Sequence, residues 1–476
     1  MKRYIVQTFG CQMNVHDSRR IEEVLEASGY RPTDEASIAD VIVVNTCSVR
    51  EKAEHKLMSL LGTLRGFKAE RPDAALVVAG CVAQQEGERL LKKAPHVDVV
   101  IGPDNIPDLP GLLRDAETGA PPVARTVFDL DDPRFLVASP RPGRPEVTAF
   151  VTTMKGCDER CTFCIVPTTR GSERYRRADQ IVDEVVRLVE GGVKEITLLG
   201  QTVNSWYEPE RVAEAKPRSK AAPSRSAFAD LLRRIAAAAP GLERLRYTSP
   251  HPRHLTPELI AAHAELDVLA AHLHLPVQSG SNRVLRRMSR RYTREEYVER
   301  VTALKQAKPG LTLSTDMIVG FPGETEEDFE ETLSLVREVG FVSLFGFKYS
   351  ERPGVPALAY GDDVPEEVKD ERLARLFEVA HELQTAHLES LVGSSQRVLV
   401  EGKSKGGETF SGRTERNEIV HLEAAPGVDP TGHVVDVEIL EAFKHSLRAR
   451  MTSEPTPAMK EVAAQRGRVA LPVVGA

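Results

Sequence analysis

Six cysteines are the residues of this 476-residue chain whose type and spacing point most directly to chemistry. Three of them, Cys157, Cys161 and Cys164, lie within eight residues just after a predicted strand. Thiolates this close can converge on one metal centre, and a [4Fe–4S] cluster normally takes four ligands. Three protein ligands would leave one iron open, as catalytic metal sites do. Such an iron can chelate the amino and carboxylate groups of S-adenosylmethionine, and reduction of the cluster would then break the sulfonium bond homolytically.

Two other interpretations of this cysteine set stay open. A structural zinc site would need a fourth ligand, and neither a histidine nor a fourth cysteine lies nearby in the sequence. Three unrelated thiols would need no metal. Six cysteines in a long chain with no sign of export favour metal binding or catalysis over a disulfide framework, so the cluster is the preferred interpretation.

The other three cysteines, Cys11, Cys47 and Cys81, are far apart in sequence, but each lies within three residues of the end of a predicted strand. Parallel strands place their C-terminal ends at one edge of a sheet, so these thiols could meet there. The alternative is three separately buried cysteines, since free cysteine is among the most buried residue types. The six cysteines divide into two triads with none left over, which favours a second three-ligand cluster site.

Three regions of α/β and β character are predicted to position these residues. Residues 1–118 alternate strand and helix patterns, which indicates an N-terminal parallel α/β sheet domain. Its strands are predicted at Tyr4–Thr8, Val41–Asn45, Ala75–Ala79 and Val97–Ile101. Residues 119–146 are rich in proline and are expected to form an extended linker.

A second series of strands and helices runs through residues 147–377. Six strand–helix repeats indicate a (βα)6-type partial barrel. The strands are predicted at Ala149–Met154, Glu195–Leu199, Arg244–Thr248, His272–Pro276, Leu311–Val319 and Ser343–Tyr349. Active sites of such barrels form just past the C-terminal ends of the strands. Four residues at these positions are candidates for cofactor contacts: Gln201, Asn204, Gln278 and Gly320. The alternative is that each has only a structural role in its loop.

The C-terminal part has a different pattern. Residues 380–450 show short strands with glycine-rich turns, which indicates a small β-barrel. The strands are predicted at Arg397–Glu401, Thr409–Gly412, Glu418–Leu422 and His433–Leu440. The tail 451–476 is rich in proline and small residues and is expected to be disordered.

The net charge of −7 argues against a wholesale polyanion binder, so any nucleic-acid contact must come from local patches. Two groups of arginines are candidates for such patches: Arg170, Arg174, Arg176 and Arg177 form the first, and Arg283, Arg286, Arg287, Arg290 and Arg291 form the second. The alternative interpretation is that each group is a solvated helix face. The chain has no long uncharged apolar run and no signal-peptide pattern, so no membrane association is expected and the predicted compartment is the cytoplasm.

The first cysteine set resembles that of the radical S-adenosylmethionine superfamily. The resemblance rests on the spacing of Cys157, Cys161 and Cys164, on their place after the first barrel strand, and on the aromatic Phe163. In that superfamily, the aromatic residue before the third cysteine packs near the adenine of the cofactor. The resemblance therefore implies that Phe163 contacts S-adenosylmethionine.

Two cysteine triads in this order, followed by a small β-domain, resemble the methylthiotransferase family over about residues 1–450. Several stretches resemble its tRNA-modifying members: Thr8–Asn14, Asn45–Arg50, Cys161–Pro167 with Thr169–Gly171, His274–Gly280 and Gly412–Asn417. Thr168, the long loop 207–226 and Glu418 depart from the family pattern and put fine substrate contacts in doubt.

Membership in that family implies an enzyme that attaches a methylthio group to ring carbon 2 of N6-dimethylallyladenosine at position 37 of tRNA. It implies two [4Fe–4S] clusters. Cys157, Cys161 and Cys164 would hold the one that binds S-adenosylmethionine, and Cys11, Cys47 and Cys81 the sulfur-donating one. One S-adenosylmethionine would methylate sulfur at the auxiliary cluster, and a second would yield the 5′-deoxyadenosyl radical that activates the base. The protein mainly positions these groups.

The resemblance also implies partners. The C-terminal domain resembles the RNA-binding TRAM domain, with four candidate contacts to the tRNA anticodon stem-loop: Arg413, Arg416, Lys444 and Arg448. An electron donor such as flavodoxin or ferredoxin and iron–sulfur carrier proteins are expected as well. Three alternatives stay open: methylthiolation of threonylcarbamoyladenosine in tRNA, methylthiolation of a ribosomal-protein aspartate, and a non-catalytic iron–sulfur RNA-binding protein.

Overall fold

The computed structural model describes residues 1–48, 51–128, 134–137, 146–211, 226–404, 406–407, 409–425 and 427–453. Its first sheet is parallel throughout, in the order β2-β1-β3-β4-β5-β6. The strands are β1 (Arg3–Phe9), β2 (Arg31–Pro32), β3 (Val41–Thr46), β4 (Ala75–Gly80), β5 (Val99–Ile101) and β6 (Val123–Arg125). The helices are α1 (Gln12–Ala27), α2 (Glu51–Glu70), α3 (Cys81–Glu86), α4 (Glu88–Lys93) and α5 (Leu109–Glu117).

The central strands of this sheet are buried on both faces. Every residue of β3 and β4 is buried, and both strands are rich in valine, as parallel strands covered by helices usually are. Two apolar clusters lie on opposite faces, one around Ile21 and Leu109 and the other around Leu57 and Leu90. The sheet is therefore a rigid platform whose C-terminal edge carries the three N-terminal cysteines.

The prediction of a linker over residues 119–146 is wrong for part of that segment. Val123–Arg125 pairs in parallel with Val99–Ile101 and forms the last strand of the sheet. Pairing at a sheet edge depends on which strand lies there, and the short segment has no alternating pattern of its own. Residues 129–133 and 138–145 of the predicted linker lie outside the described residues, as does most of the loop 207–226.

The middle of the chain forms the predicted partial barrel. Its six parallel strands are β7 (Thr148–Thr152), β10 (Glu195–Leu199), β11 (Arg244–Tyr247), β12 (His272–His274), β13 (Thr312–Val319) and β14 (Ser343–Lys348). They pair as two three-stranded sheets, which a parallel bridge between Leu245 and Leu269 connects. Among the described residues, no strand pairing links β7 to β14, so the barrel is open on that side.

Helices cover the outside of the barrel. Helix α6 (Val166–Arg170) instead packs against α3 of the N-terminal domain. The helices on the outside are α7 (Ala178–Glu190), α8 (Ala227–Ala238), α9 (Pro257–Glu265), α10 (Asn282–Arg287), α11 (Arg294–Ala307), α12 (Glu326–Val339) and α13 (Glu366–Ser390). Their apolar faces and one face of the strands form the largest apolar cluster, which includes Phe228, Tyr297 and Phe329. No helix among the described residues is long and apolar enough to cross a lipid bilayer.

The C-terminal strands close into a small barrel, as the sequence predicts. They are β15 (Ser395–Lys403), β16 (Phe410–Thr414), β17 (Ile419–Glu423), β18 (Val434–Ala442) and β19 (Leu447–Met451), in the order β15-β16-β17-β19-β18. The sequence analysis does not predict β19, which closes the barrel by pairing with both β17 and β18. Its last residue, Met451, begins the segment predicted to be disordered, and residues 454–476 lie outside the described chain.

The small β-barrel is docked at the end of the large barrel where the strands begin. Arg244 and Arg246 donate hydrogen bonds to the carbonyl oxygens of Arg413 and Thr414, at 3.2 and 3.1 Å. The Glu195 carboxylate lies 3.1 Å from both barrel arginines. The turn 413–417 therefore closes the end of the barrel opposite to the strand ends where active sites form.

Candidate functional site

The first cysteine triad lies in a loop between two short antiparallel strands, β8 (Met154–Lys155) and β9 (Arg174–Tyr175). Gly156 begins the loop with a φ of +78°, and a Cβ there would collide with the carbonyl of Ser172. The backbone N–H of Cys157 donates to the carbonyl of Gly171 at 3.1 Å, which closes the base of the loop. Only glycine fits this turn, and the turn brings the three thiols to the C-terminal end of the barrel strands.

Two side chains from other loops reach the sulfurs of this triad. Thr202 Oγ1 lies 2.8 Å from Cys157 Sγ, and Arg290 Nη1 donates to Cys161 Sγ at 3.4 Å. Burial raises the pKa of both Cys157 and Cys164. Burial disfavours the thiolate form of both residues, and the irons of a cluster would supply the positive charge that favours it.

The second triad assembles where three neighbouring strands end, as predicted. Cys11 caps the N-terminus of α1, Cys47 follows β3, and Cys81 is the first residue of α3. Gly10 has a φ of +143°, and a Cβ there would lie 2.6 Å from the Cβ of Cys47, so the two segments are in close contact. A hydrogen bond with Cys47 lowers the pKa of Cys11, against the effect of burial.

An arginine of the barrel, Arg170, contacts the second triad. Arg170 Nε donates to Cys81 Sγ at 3.2 Å, and its Nη2 donates to the Asp17 carboxylate at 2.6 Å. Although burial has the opposite effect, Arg170 lowers the pKa of Asp17 to about 2. Burial raises the pKa of Cys81, which Arg170 opposes. The N-terminal sheet and the barrel therefore meet at the cysteines.

Both triads fit an iron–sulfur cluster. All six cysteines are free, four of them buried and Cys11 and Cys164 partly exposed, and each triad offers three soft sulfur donors. The glycine turns at Gly10 and Gly156 support this fit, because they let the cysteine-bearing segments approach neighbouring backbone and side chains closely. The assignment of each cysteine to a cluster stays a prediction.

The predicted cofactor contacts follow barrel strands and have different partners. Gln201 accepts the Gly156 N–H through Oε1 at 2.5 Å, while its Nε2 is buried and has no hydrogen-bond partner in the described residues. Gln278 is buried and has a φ of +79°, next to its bridge with Met317. Gly320 donates its N–H to Glu324 at 2.6 Å. The unpaired Gln201 amide is a donor that a bound ligand could use.

Phe163 and Asn204 have contrasting surroundings. Phe163 packs edge-to-face on Phe321, with ring centroids 6.4 Å apart, in a small apolar cluster at the end of the barrel. This cluster could accept an adenine ring. The side-chain amide of Asn204 instead binds the main chain of His251 in both directions, at 2.8 and 3.0 Å. Asn204 therefore holds the loop after β11, and its predicted cofactor contact stays a prediction.

The sequence analysis missed a buried polar cluster beside the first triad. The side-chain donor atoms of Glu159, His251 and His254 lie within 4.8 Å of one another, close enough for a metal ion. However, Arg253 lies 3.4 Å from the Glu159 carboxylate, and Arg290 contributes to a lowered His251 pKa that is mainly due to burial. The cationic surroundings disfavour a further cation. The cluster instead pairs Glu159, within the cysteine loop, with the barrel.

From the sequence, the first arginine group is interpreted as a nucleic-acid-binding patch or as a solvated helix face, and for most of its members both interpretations are wrong. Arg170, Arg174 and Arg176 are buried, and only Arg177 lies on the surface. Arg174 pairs with Asp104 of the N-terminal sheet, and Arg176 pairs with Glu184. In the second group, Arg290 is also buried. Burial with these partners removes the four arginines from any RNA-binding surface and from any solvated helix face.

The four predicted RNA contacts divide into two pairs. Lys444 and Arg448 are exposed at the β18–β19 hairpin. Arg413 and Arg416 are half-buried, paired with Glu401 and Glu418, and lie in the turn that docks on the barrel. Arg448 also pairs with a carboxylate, that of Glu441 at 2.8 Å, so only their greater exposure favours Lys444 and Arg448 as phosphate contacts.

The inner face of the barrel carries polar and aromatic side chains at mid-height. His274 and Asp316 lie 3.4 Å apart on neighbouring strands. Phe345, on the next strand, is 49% exposed, and its ring centroid is 5.8 Å from that of His274. An exposed aromatic ring beside hydrogen-bonding groups is a suitable surface for a planar base.

Comparison with known proteins agrees with this architecture. Residues 3–102 match the uncharacterized protein family UPF0004, residues 151–336 the radical SAM superfamily, and residues 389–452 the TRAM domain. The radical S-adenosylmethionine methyltransferase TsrM from Kitasatospora setae, solved with cobalamin and a [4Fe–4S] cluster, shares the fold. The TM-score is 0.52 at 16% identity, over 75% of this chain and 74% of that one. The fold and the cysteine loop define a radical S-adenosylmethionine enzyme.

Sequence relatives narrow this class. The chain is 61% identical, over 100% of its length and 99% of the relative, to the tRNA-2-methylthio-N(6)-dimethylallyladenosine synthase of Sorangium cellulosum (strain So ce56). It is 46% identical, over 94% of its length and 97% of the relative, to the synthase of that name from Geobacter metallireducens. The chain therefore belongs to the tRNA-2-methylthio-N(6)-dimethylallyladenosine synthase family. Its cofactors are S-adenosylmethionine and [4Fe–4S] clusters, which confirms the prediction from the cysteines.

Proposed function

We propose that this protein replaces the hydrogen on ring carbon 2 of N6-dimethylallyladenosine 37 in tRNA with a methylthio group. The observation that carries the proposal is that Arg170, six residues after Cys164, donates hydrogen bonds to Cys81 and Asp17 of the N-terminal domain. Radical generation and sulfur donation need separate clusters that face a shared reaction space. The reduced cluster with S-adenosylmethionine would supply the 5′-deoxyadenosyl radical, and the auxiliary cluster would supply the sulfur.

In this proposal, the protein residues hold and orient the cofactors. Cys157, Cys161 and Cys164 would hold the radical cluster, and Cys11, Cys47 and Cys81 the auxiliary cluster. Gln201 would donate a hydrogen bond to S-adenosylmethionine through its unpaired amide, and Phe163 would pack near the adenine. Gln278 and Gly320 would shape the same pocket from neighbouring strand ends. The N-terminal sheet would cover the reaction space and exclude water.

The RNA would enter from the open side of the barrel. The exposed ring of Phe345 would stack on the base, and His274 with Asp316 would offer hydrogen bonds to its edge. Lys444 and Arg448, and more weakly Arg413 and Arg416, would contact phosphates of the anticodon stem-loop.

We further propose domain limits at residues 1–118, 147–377 and 380–450, a flavodoxin or ferredoxin as the electron donor, and iron–sulfur carrier proteins as partners. We propose the cytoplasm as the compartment, since it holds the tRNA.

Mass spectrometry of nucleosides tests the proposal. tRNA from a strain that lacks this protein should contain N6-dimethylallyladenosine without the methylthio group, and the intact gene should restore the modified nucleoside. The matched control is a Cys47→Ala gene, which should not restore it. A loss of methylthiolated threonylcarbamoyladenosine instead would identify the other tRNA substrate. No change in either nucleoside would reject a tRNA-modifying role.

A further inference from the structure

Arg170 belongs by sequence to the loop of the first triad and by contact to the second. It lies six residues after Cys164, at the end of the short helix Val166–Arg170. Its side chain contacts Cys81 and Asp17, which are 89 and 153 residues away in sequence. One short segment therefore joins a ligand of one proposed cluster to a ligand of the other.

The two contacts use the shape of the guanidinium group. Arg170 is 5% exposed, and Asp17 and Cys81 are each 6% exposed. A cation buried this deeply is costly unless it is paired and hydrogen-bonded. Nε and Nη2 form one edge of the planar fork, so a single group donates to the sulfur and to the carboxylate together. A lysine could place its charge beside either partner but could not span both with fixed geometry.

Neighbouring arginines show that this contact is selective. Arg174 and Arg176 of the same segment are also buried, but they pair with the carboxylates of Asp104 and Glu184. Among the three buried arginines of this segment, the hydrogen bonds of the described residues join only Arg170 to a cysteine. Asp104 also binds Lys155 at 3.0 Å, so the contact between sheet and barrel has ion pairs that do not depend on Arg170.

We propose that Arg170 is a positioning residue that fixes the Cys81 thiolate and raises the reduction potential of the auxiliary cluster. This inference rests on the proposed function, because it takes Cys81 as a ligand of that cluster. Hydrogen bonds to cluster sulfurs are among the factors that set the potential of a cluster. A donated hydrogen bond and a nearby positive charge stabilise the more negative, reduced state, so removing them should shift the potential to more negative values.

The test uses the full-length, anaerobically reconstituted chain in which Cys157, Cys161 and Cys164 are alanine, so that one cluster remains. The midpoint potential is measured by a redox titration followed by electron paramagnetic resonance. Arg170→Gln should shift the potential to a more negative value, and Arg170→Lys should lie between this variant and its parent. The control is Arg177→Gln, because Arg177 is exposed and pairs with Asp179; it should leave the potential unchanged.

Each outcome decides the proposal. A loaded Arg170→Gln protein with the potential of its parent would overturn it. If Arg170→Gln folds but binds no iron, recovery of iron by Arg170→Lys would support a specific role of the cation at Cys81. Absence of iron from both variants, or loss of the folded state in both, would reduce Arg170 to a structural residue and overturn the proposal. If the parent with three alanines binds no iron, the assignment of the N-terminal triad fails instead, which separates the two failures.

Discussion

The two ends of the barrel are covered by different domains, and the two contacts differ in their chemistry. At the C-terminal end of the strands, the N-terminal sheet meets the barrel through Arg170, Cys81 and Asp17, and a buried donor of Gln201 has no partner in the described residues. At the other end, the small β-barrel meets Arg244 and Arg246 through main-chain carbonyls. Thiols beside a buried cation are typical of a reaction site, whereas arginines bound to main-chain carbonyls are typical of an anchor.

Removing a ligand of the first triad should have the largest effect at the reaction end. Cys161→Ala leaves two thiolates in the loop, which are a poor anchor for four irons. Iron should fall from about eight to about four per chain. The variant should produce no 5′-deoxyadenosine and no methylthiolated tRNA, as measured by chromatography of an anaerobic reaction with a strong reductant. Retained cleavage of S-adenosylmethionine would contradict the assignment of this loop.

Removing a ligand of the second triad should separate the two halves of the reaction. Cys47→Ala should also retain about four irons per chain, in this case those of the cluster that Cys157, Cys161 and Cys164 would hold. Since Cys47 lies in the N-terminal sheet, the variant should still form 5′-deoxyadenosine, at least slowly, and should form no methylthiolated base. Product chromatography and nucleoside mass spectrometry on one reaction measure both. If this variant still methylthiolates tRNA, the N-terminal triad is not the sulfur source.

A change at the anchoring end should affect stability rather than chemistry. Glu195→Gln removes the carboxylate that lies between the buried Arg244 and the partly buried Arg246. Breaking a buried ion pair in this way should cost about 3–5 kcal/mol of unfolding free energy. Denaturant unfolding measures this cost, with the exposed Glu243→Gln as the control. Equal midpoints for the two variants would show that the network at this end is not an anchor.

A change on the inner face of the barrel should weaken substrate binding more than the chemical step. Phe345→Ala removes the exposed ring beside His274, and stacking of a base on an aromatic ring contributes about 1–3 kcal/mol. The KM for tRNA should rise by about tenfold or more, with 5′-deoxyadenosine formation unchanged. Phe377→Ala, another exposed phenylalanine outside the barrel, is the control. A KM equal to that of the control would remove Phe345 from the substrate site.

The smallest effect is expected on the exposed side of the small β-barrel. Charge reversal of Lys444 and Arg448 should weaken tRNA binding and flatten its dependence on salt, because cations bound to phosphates release counterions. The slope of log affinity against log salt should fall by about one for each phosphate that is no longer neutralised. Each single reversal is compared with Lys403→Glu, which is exposed in the same domain and changes the net charge by the same amount. A slope unchanged from the wild-type protein would place the RNA-binding residues elsewhere.

The sequence predicts the cysteine sites better than their surroundings, for a physical reason. A loop of eight residues fixes the first triad locally, and the strand pattern fixes the ends where Cys11, Cys47 and Cys81 lie. The contacts of Arg170 with Cys81 and of Arg290 with Cys161 join segments 89 and 129 residues apart. No local pattern indicates such a contact. From the sequence alone, a run of arginines is therefore interpreted as a charged surface, because only the tertiary structure shows which arginines are buried and with which residues they pair.

The strand order shows the same limit. The valine-rich segments of β3 and β4 are predictable because both faces are buried, and that burial requires continuous apolar residues. Val123–Arg125 is a strand only because β5 offers it an edge, and Leu447–Met451 closes a barrel that begins at Ser395. Elements defined by a distant partner, rather than by their own periodicity, are the ones that the sequence analysis missed.

The turn 413–417, which closes the end of the barrel where the strands begin, also matters for folding during synthesis of the chain. Arg244 meets the carbonyl of Arg413, which is synthesised 169 residues later. At a ribosomal rate of about 5–20 residues per second, that interval is roughly 10–30 seconds. During this time, the nascent barrel exposes Glu195 and its two arginines to water at a place that the finished protein buries. As charged groups, these side chains can stay solvated until the last domain emerges and covers them.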